Sequence, residues 1–138
     1  MKNYRFYLPE KPNWCVPSAL QTVLGSRDVE ISQEEITRHF PKSFSEQIFD
    51  GFHFNLGLLE QFIKEINLDA KSYFHNPHKD IESYKDCDIF LRAAEGDIIA
   101  SYDSNGRNHL SVISNFSFDS KLVKLVDSEN PIQLSNLV

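Results

Sequence analysis

The sequence is poor in sulfur, with two cysteines, Cys15 and Cys87, and one methionine in 138 residues. That is too few for the disulfide-stapled frameworks of small secreted domains. One Cys15–Cys87 bridge is the most the chain allows, and a cytoplasmic protein keeps both as thiols. Long apolar runs are also missing. No segment reaches the roughly 18–20 residues a membrane span needs, and the opening MKNYRFYLPEKPNW lacks the apolar heart of a secretory signal. The expectation is a cytoplasmic protein without a membrane span. Clustered basic charge is absent too. Net charge is −6 with scattered Lys and Arg, which argues against a nucleic-acid partner. No glycine-rich phosphate loop occurs, and SNGR reads as a turn. His75 and His78 in HNPH flank a proline with no cysteine nearby, a polar turn more than a metal site. No metal and no cofactor are expected.

What the chain does have is aromatic mass: eleven Phe and five Tyr in a composition that is 41% apolar. A chain of this length can bury one sizeable core, and residues 1–138 read as a single domain. Residues 1–12 are extended, punctuated by Pro9 and Pro12. Val16, Ala19, Leu20, Val23 and Leu24 recur at helical spacing, predicting a helix over 15–26. Pro17 is tolerated there because it falls in the first turn, which sets Cys15 at the helix N-terminus. Gly25 and Ser26 are its expected end. Ser32-Gln33-Glu34-Glu35 is a capping box opening a short helix to about His39. SFSEQIFDGFHF reads as irregular, with its aromatics assigned to the core more than to a ligand platform. A third helix fits 55–67, capped by Asn55, with Leu56, Leu59, Phe62, Ile63 and Ile66 on one stripe. Residues 69–74 suggest a strand and 79–94 a helix. DIIASYD, NHLSVISNF and KLVKLVD are then short β-branched runs separated by turn residues, and IQLSNLV adds a possible last strand. Helices first and strands after make an α+β layout, with N-terminal helices packed on a C-terminal antiparallel sheet.

Cys15 is the candidate nucleophile. A helix start carries unpaired N–H groups and about half a positive charge, which favour thiolate over thiol. The same amides can donate to an oxyanion. The competing reading is a small buried apolar residue, as most free cysteines are. Cys87, among the charges of KDCDIF, has no such setting and reads as structural. His109 opens the strand H-L-S-V-I, where it can be held at a cleft edge and accept the thiol proton. Asp127 ends the following strand. A hairpin between the two strands brings their outer ends together, so the carboxylate can hold the other imidazole nitrogen. The order Cys, His, Asp is that of papain-type enzymes.

The stretch NWCVPSALQTVLGSRDVEISQEEI resembles the start of the double-glycine leader peptidases that process bacteriocin precursors. It is also similar to their free-standing relatives and, more distantly, to phytochelatin synthases. The resemblance lies in Cys15, Pro17-Ser18-Ala19-Leu20 and Ile31-Ser32-Gln33-Glu34-Glu35-Ile36. GDIIASYDSNGRNHLSVISNFSFDSKLVKLVDSENP resembles their second half, where an H-x-x-V-I strand precedes one ending in Asp. The resemblance implies a papain-like cysteine peptidase fold and a Cys15–His109–Asp127 triad acting on a peptide or small amide substrate. Two positions depart from the family. Val16 stands where Gly is common after the nucleophile. Pro9 and Glu10 stand where a Gln supplies an oxyanion donor. Asn13 and, if protonated, Glu10 are the candidate replacements. The expected function is therefore cysteine-dependent hydrolysis or acyl transfer. The alternative is a catalytically degenerate papain-fold domain that binds a peptide or protein partner.

Overall fold

The computed structural model describes residues 3–45, 49–72, 96–104, 107–117, 122–127 and 130–133. Helix α1 spans Cys15–Gly25, α2 Gln33–Thr37 and α3 Leu56–Glu65. Strands β1 (Lys42–Ser45) and β2 (Phe49–Phe52) form a two-stranded antiparallel hairpin. Strands β3 (Ile99–Ser104), β4 (Arg107–Ser117), β5 (Leu122–Leu125) and β6 (Ile132–Gln133) form an antiparallel sheet in the order β3-β4-β5-β6. The architecture is α+β. No helix among the described residues is long and apolar enough to cross a membrane. Cys87, His75, His78 and the helix expected over 79–94 lie outside the described residues.

The helical elements follow from local chemistry. Ser32 caps α2 by accepting from the Glu35 N–H, and Asn55 caps α3 by accepting from the Leu58 N–H, as read from their capping side chains. Asn67 ends α3 in the left-handed region at φ 56°. There the Leu68 and Asn67 amides return to the Ile63 and Lys64 carbonyls, the paired bonds of a Schellman ending. α1 ends at Gly25 with Ser26 as its C-cap, as the sequence suggested, and the turn beyond it closes in the same way at Asp28, φ 60°.

Gly25 has a different task. A Cβ at this position would lie 3.0 Å from the Tyr7 ring, so its bare backbone lets the N-terminal segment cross close over the helix.

Among the described residues two apolar clusters make the core. Val16, Leu20 and Leu24 of α1 join Ile36, Phe40 and Phe62, with Phe52, Phe54 and Leu110 packed against them. Ala100, Ile113, Val123 and Leu125 form the second, within the sheet. Leu110 and Ile113 lie on opposite faces of β4, as a pleated strand requires, so one strand serves both clusters. Helix α1 packs against β4.

Three expectations are corrected. The segment read as irregular contains the β1–β2 hairpin. Its strands pair Lys42 with Phe52 and Ser45 with Phe49, and the His53 N–H continues to the Pro41 carbonyl at 2.8 Å. Phe52 and Phe54, two apart, both reach the core, a period too short to stand out beside Ser43, Ser45 and Gly51. Next, residues 69–72 form no strand. The Ala70 N–H turns back to the Leu68 carbonyl, bending the chain. Finally, α3 packs through Leu58, Leu59, Phe62 and Ile66, and its stripe is rotated away from Leu56 and Ile63.

The N-terminal segment is held by buried side chains. Thr22 Oγ1 accepts from the Tyr7 N–H, while Ser18 Oγ donates to the Tyr7 carbonyl. Gln33, 1% exposed, accepts the Glu10 N–H at 2.9 Å and donates to the Leu8 carbonyl at 2.8 Å. It also donates to Gln21, whose own amide donates to Ile31. Gln33→Ala strands these partners, and a buried group left unpaired costs about 1–3 kcal/mol. Urea unfolding is expected to show a loss of that size. Gln61→Ala, which removes an exposed bond to Glu65, is expected to change stability by under about 0.5 kcal/mol.

Candidate active site

The first turn of α1 is electrostatically bare. Its N-cap, Trp14, makes no side-chain capping bond, and no acidic residue occupies the first turn. Pro17 has no N–H to give. Asn13 precedes the helix in the left-handed region, φ 64°, a conformation Asn tolerates better than most residues. The Trp14 N–H closes a turn onto the Lys11 carbonyl. The chain therefore enters the helix abruptly, and the positive end of the backbone dipole is left without a local anion.

Cys15 sits at that end as a free thiol. Burial pushes the thiol up, but the His109 side chain, the Leu110 backbone N–H and its own N–H together hold it below the ordinary cysteine value. Strand register explains the Leu110 amide. The Ile113 N–H donates to the Ile98 carbonyl, so bonding alternates along β4 and Leu110 turns its N–H away from β3. Pairing with β5 begins only near Val112, which leaves that amide free to face the sulfur.

His109 and Asp127 meet directly, Nε2 to Oδ2 at 2.7 Å. That bond leaves Nδ1 as the ring nitrogen available to Cys15. Hydrogen bonds to Asp127 first, then to Cys15, raise His109 from 6.5 to about 9 against the opposing effect of burial. For Asp127, burial works upward, but bonds from His109 and Ser111 outweigh it and hold the carboxyl low. The side chains are 31% and 15% exposed, so the pair is partly shielded while the imidazole edge stays accessible.

Two neighbours complete the site, and neither stood out in the sequence. Tyr102, paired with His109 across β3–β4, sets its ring edge-on to the imidazole at 5.2 Å and 85°. Burial, then the nearby Asp127 and Cys15, push its phenol up to about 12, so it stays neutral. Ser111 Oγ donates to Asp127 Oδ1 at 2.7 Å. The only available signal was its spacing of two from His109, which puts both on one strand face.

The structure thus brings Cys15, His109 and Asp127 together. The crevice beside them is bordered by Phe6, Pro9, Ala19 and Val126. Pro9 and Glu10 are both exposed, but Pro9 reaches that rim, whereas Glu10 is not among its lining residues and engages Gln33 through its backbone. Asn13 lies two residues before the nucleophile and is half-buried. Among the described residues no cluster of three His, Cys, Asp or Glu side chains could hold a metal. Comparison with protein families, with curated proteins and with solved structures yields no match.

The opposed shifts define a pH window. A thiolate–imidazolium pair forms above the lowered Cys15 value and persists until His109 deprotonates near pH 9. The raised His109 value stabilises the fold fully below its unfolded value of 6.5, and this contribution disappears as pH rises through about 9. Alkylation of Cys15 by iodoacetamide is expected to rise less steeply between pH 7 and 8 than that of an ordinary thiol, which gains about tenfold per unit. His109→Ala removes the largest of the contributions that favour the thiolate, so the rate at pH 7 is expected to fall with circular dichroism unchanged.

Proposed function

We propose that this chain is a papain-like cysteine enzyme that cleaves or transfers the acyl group of a peptide or small amide. The observation that carries the reading is Cys15 at an uncapped helix start, beside a His109 already bonded to Asp127 at 2.7 Å. The order of the three residues and the resemblance to the leader peptidases support it. A reducing, cytoplasm-like compartment would keep the thiol free for this chemistry.

The chemistry follows from the positions of the donors. The Cys15 Sγ proton passes to His109 Nδ1, and Asp127 stabilises the imidazolium on the Nε2 side. The thiolate attacks the substrate carbonyl carbon, and the C=O π electrons become an oxyanion. The Cys15 N–H at the α1 terminus faces that charge, with Asn13 as the nearby side-chain donor. His109 returns its proton to the leaving nitrogen, the C–N bond breaks, and a thioester remains on Cys15. Water or an amine, deprotonated by His109, then attacks the thioester and frees the thiol. Which of them reaches it decides between hydrolysis and transfer.

A second reading has its own support. Pro9 and Glu10 occupy the segment where the family carries its Gln donor, and a domain lacking that donor can bind peptides without turning them over. The two readings separate experimentally. A panel of fluorogenic peptidyl amides and activated acyl esters is expected to give a Cys15 thioester visible by mass spectrometry, lost in Cys15→Ala. His109→Ala is expected to lower turnover by about 10²–10⁴-fold. A missing oxyanion donor costs about 10²–10³-fold; Pro9→Gln, at the crevice rim, is expected to recover part of that and raise turnover about tenfold, while Glu10→Gln, off the rim, is expected to leave turnover unchanged. Peptide binding with no thioester in either protein would leave the binding module standing.

A further inference from the structure

Asp127 has two carboxylate oxygens, and both are engaged. Oδ2 faces His109 Nε2, while Oδ1 accepts from Ser111 Oγ, each at 2.7 Å. The strand register determines which neighbour is the closer one. β4 and β5 pair Ile113 with Leu125, and the Val126 N–H donates to the Val112 carbonyl. Continued by one more residue, that register brings Asp127 level with Ser111. His109 stands two residues further along the same face of β4. Asp127 therefore sits across from the serine and reaches the histidine diagonally.

A diagonal reach leaves the carboxylate plane poorly determined. The terminal torsion of Asp is broad and roughly two-fold, so one bond to an imidazole does not fix it. A second bond at the other oxygen does. The Asp127 side chain is 15% exposed, and a largely buried oxygen that loses its donor is costly to leave unpaired.

We infer that Ser111 is a positioning residue of the Cys15–His109–Asp127 set, whose hydroxyl fixes the Asp127 carboxylate plane and through it the imidazole that faces Cys15. Its importance for turnover rests on the function proposed above, while the positioning itself does not. Among the described residues three groups face the His109 ring: Cys15 from α1, Asp127 from just beyond β5, and Tyr102 from β3. Without the hydroxyl, Asp127 can turn or protonate more readily, and its hold on the imidazolium weakens.

The test compares Ser111→Thr, which keeps the hydroxyl, with Ser111→Val, which has the same shape without it. The readout is the His109 titration by NMR, assigned with His109→Gln, alongside Cys15 alkylation by iodoacetamide and thermal unfolding. The threonine variant is expected to titrate like the unmodified protein. The valine variant is expected to titrate about one unit lower, a tenfold loss of imidazolium stability, with slower alkylation at pH 7. A merely structural hydroxyl would lower the unfolding temperature of the valine variant but leave the titration in place. A His109 titration that is unchanged or higher in Ser111→Val overturns the inference. If valine prevents folding, Ser111→Ala, smaller and equally without a donor, decides by the same criterion. If the unmodified protein forms no thioester and its Cys15 reacts like an ordinary thiol, the enzymatic reading fails. The His109 titration then still decides the role of Ser111.

Discussion

Everything at the site depends on α1 lying against β4. The helix contributes Val16, Leu20 and Leu24 to one cluster, and β4 sends Leu110 into that cluster and Ile113 into the other. Because the two elements share a buried surface, the start of the helix and the start of the strand are brought to one place. Cys15 and His109 are 94 residues apart in sequence, and no local preference could hold them together. The energy that does so is apolar burial, which has no direction of its own. Directionality comes from the strand register and from the polar groups around the seam.

Those polar groups share one logic. The first turn of α1 has no side-chain cap, no carboxylate and, at Pro17, no amide hydrogen. Such a terminus is a poor way to stabilise a helix, since a capping side chain is worth about 1 kcal/mol. It is a good way to stabilise a negative sulfur. The imbalance is met by the neighbours: His109 supplies positive charge, Asp127 balances it, and Ser111 occupies the remaining carboxylate oxygen. Each group's charge state is favoured by the next, which is why the histidine and the two acidic groups shift in opposite senses.

Residues at the ends of elements were the legible part of the sequence. Cys15 was marked by the helical period after it and by Pro17, His109 by the apolar run it opens, and Asp127 by the run it closes. Ser32 and Asn55 were equally plain, because capping is a transaction between residues three apart. What escaped depends on pairing between distant segments. Ser111 matters because β5 meets β4 in one particular register, and Tyr102 because β3 sets it opposite His109. Gln33 was visible only as the first residue of a short helix, yet its side chain is spent on the backbone of residues 8 and 10. The β1–β2 hairpin was missed because each four-residue strand spans only two repeats of the two-residue strand period, too few to stand out. In the N-terminal segment neighbours are also separated: Pro9 borders the crevice, and Glu10 is tied by its N–H to Gln33.

The absent side chain at Gly25 has a reach beyond its own surroundings. Tyr7 packs over it and is tied at both its N–H and its carbonyl to Thr22 and Ser18, two residues of the same helix. From Tyr7 the chain runs only two residues to Pro9 at the rim of the crevice. The segment is therefore anchored along the back of α1. A single methyl group at position 25 would press on the tip of the Tyr7 ring, beside the point where the segment leading to Pro9 is anchored. The shape of the cleft mouth is thus written partly at the end of the helix that the nucleophile does not occupy.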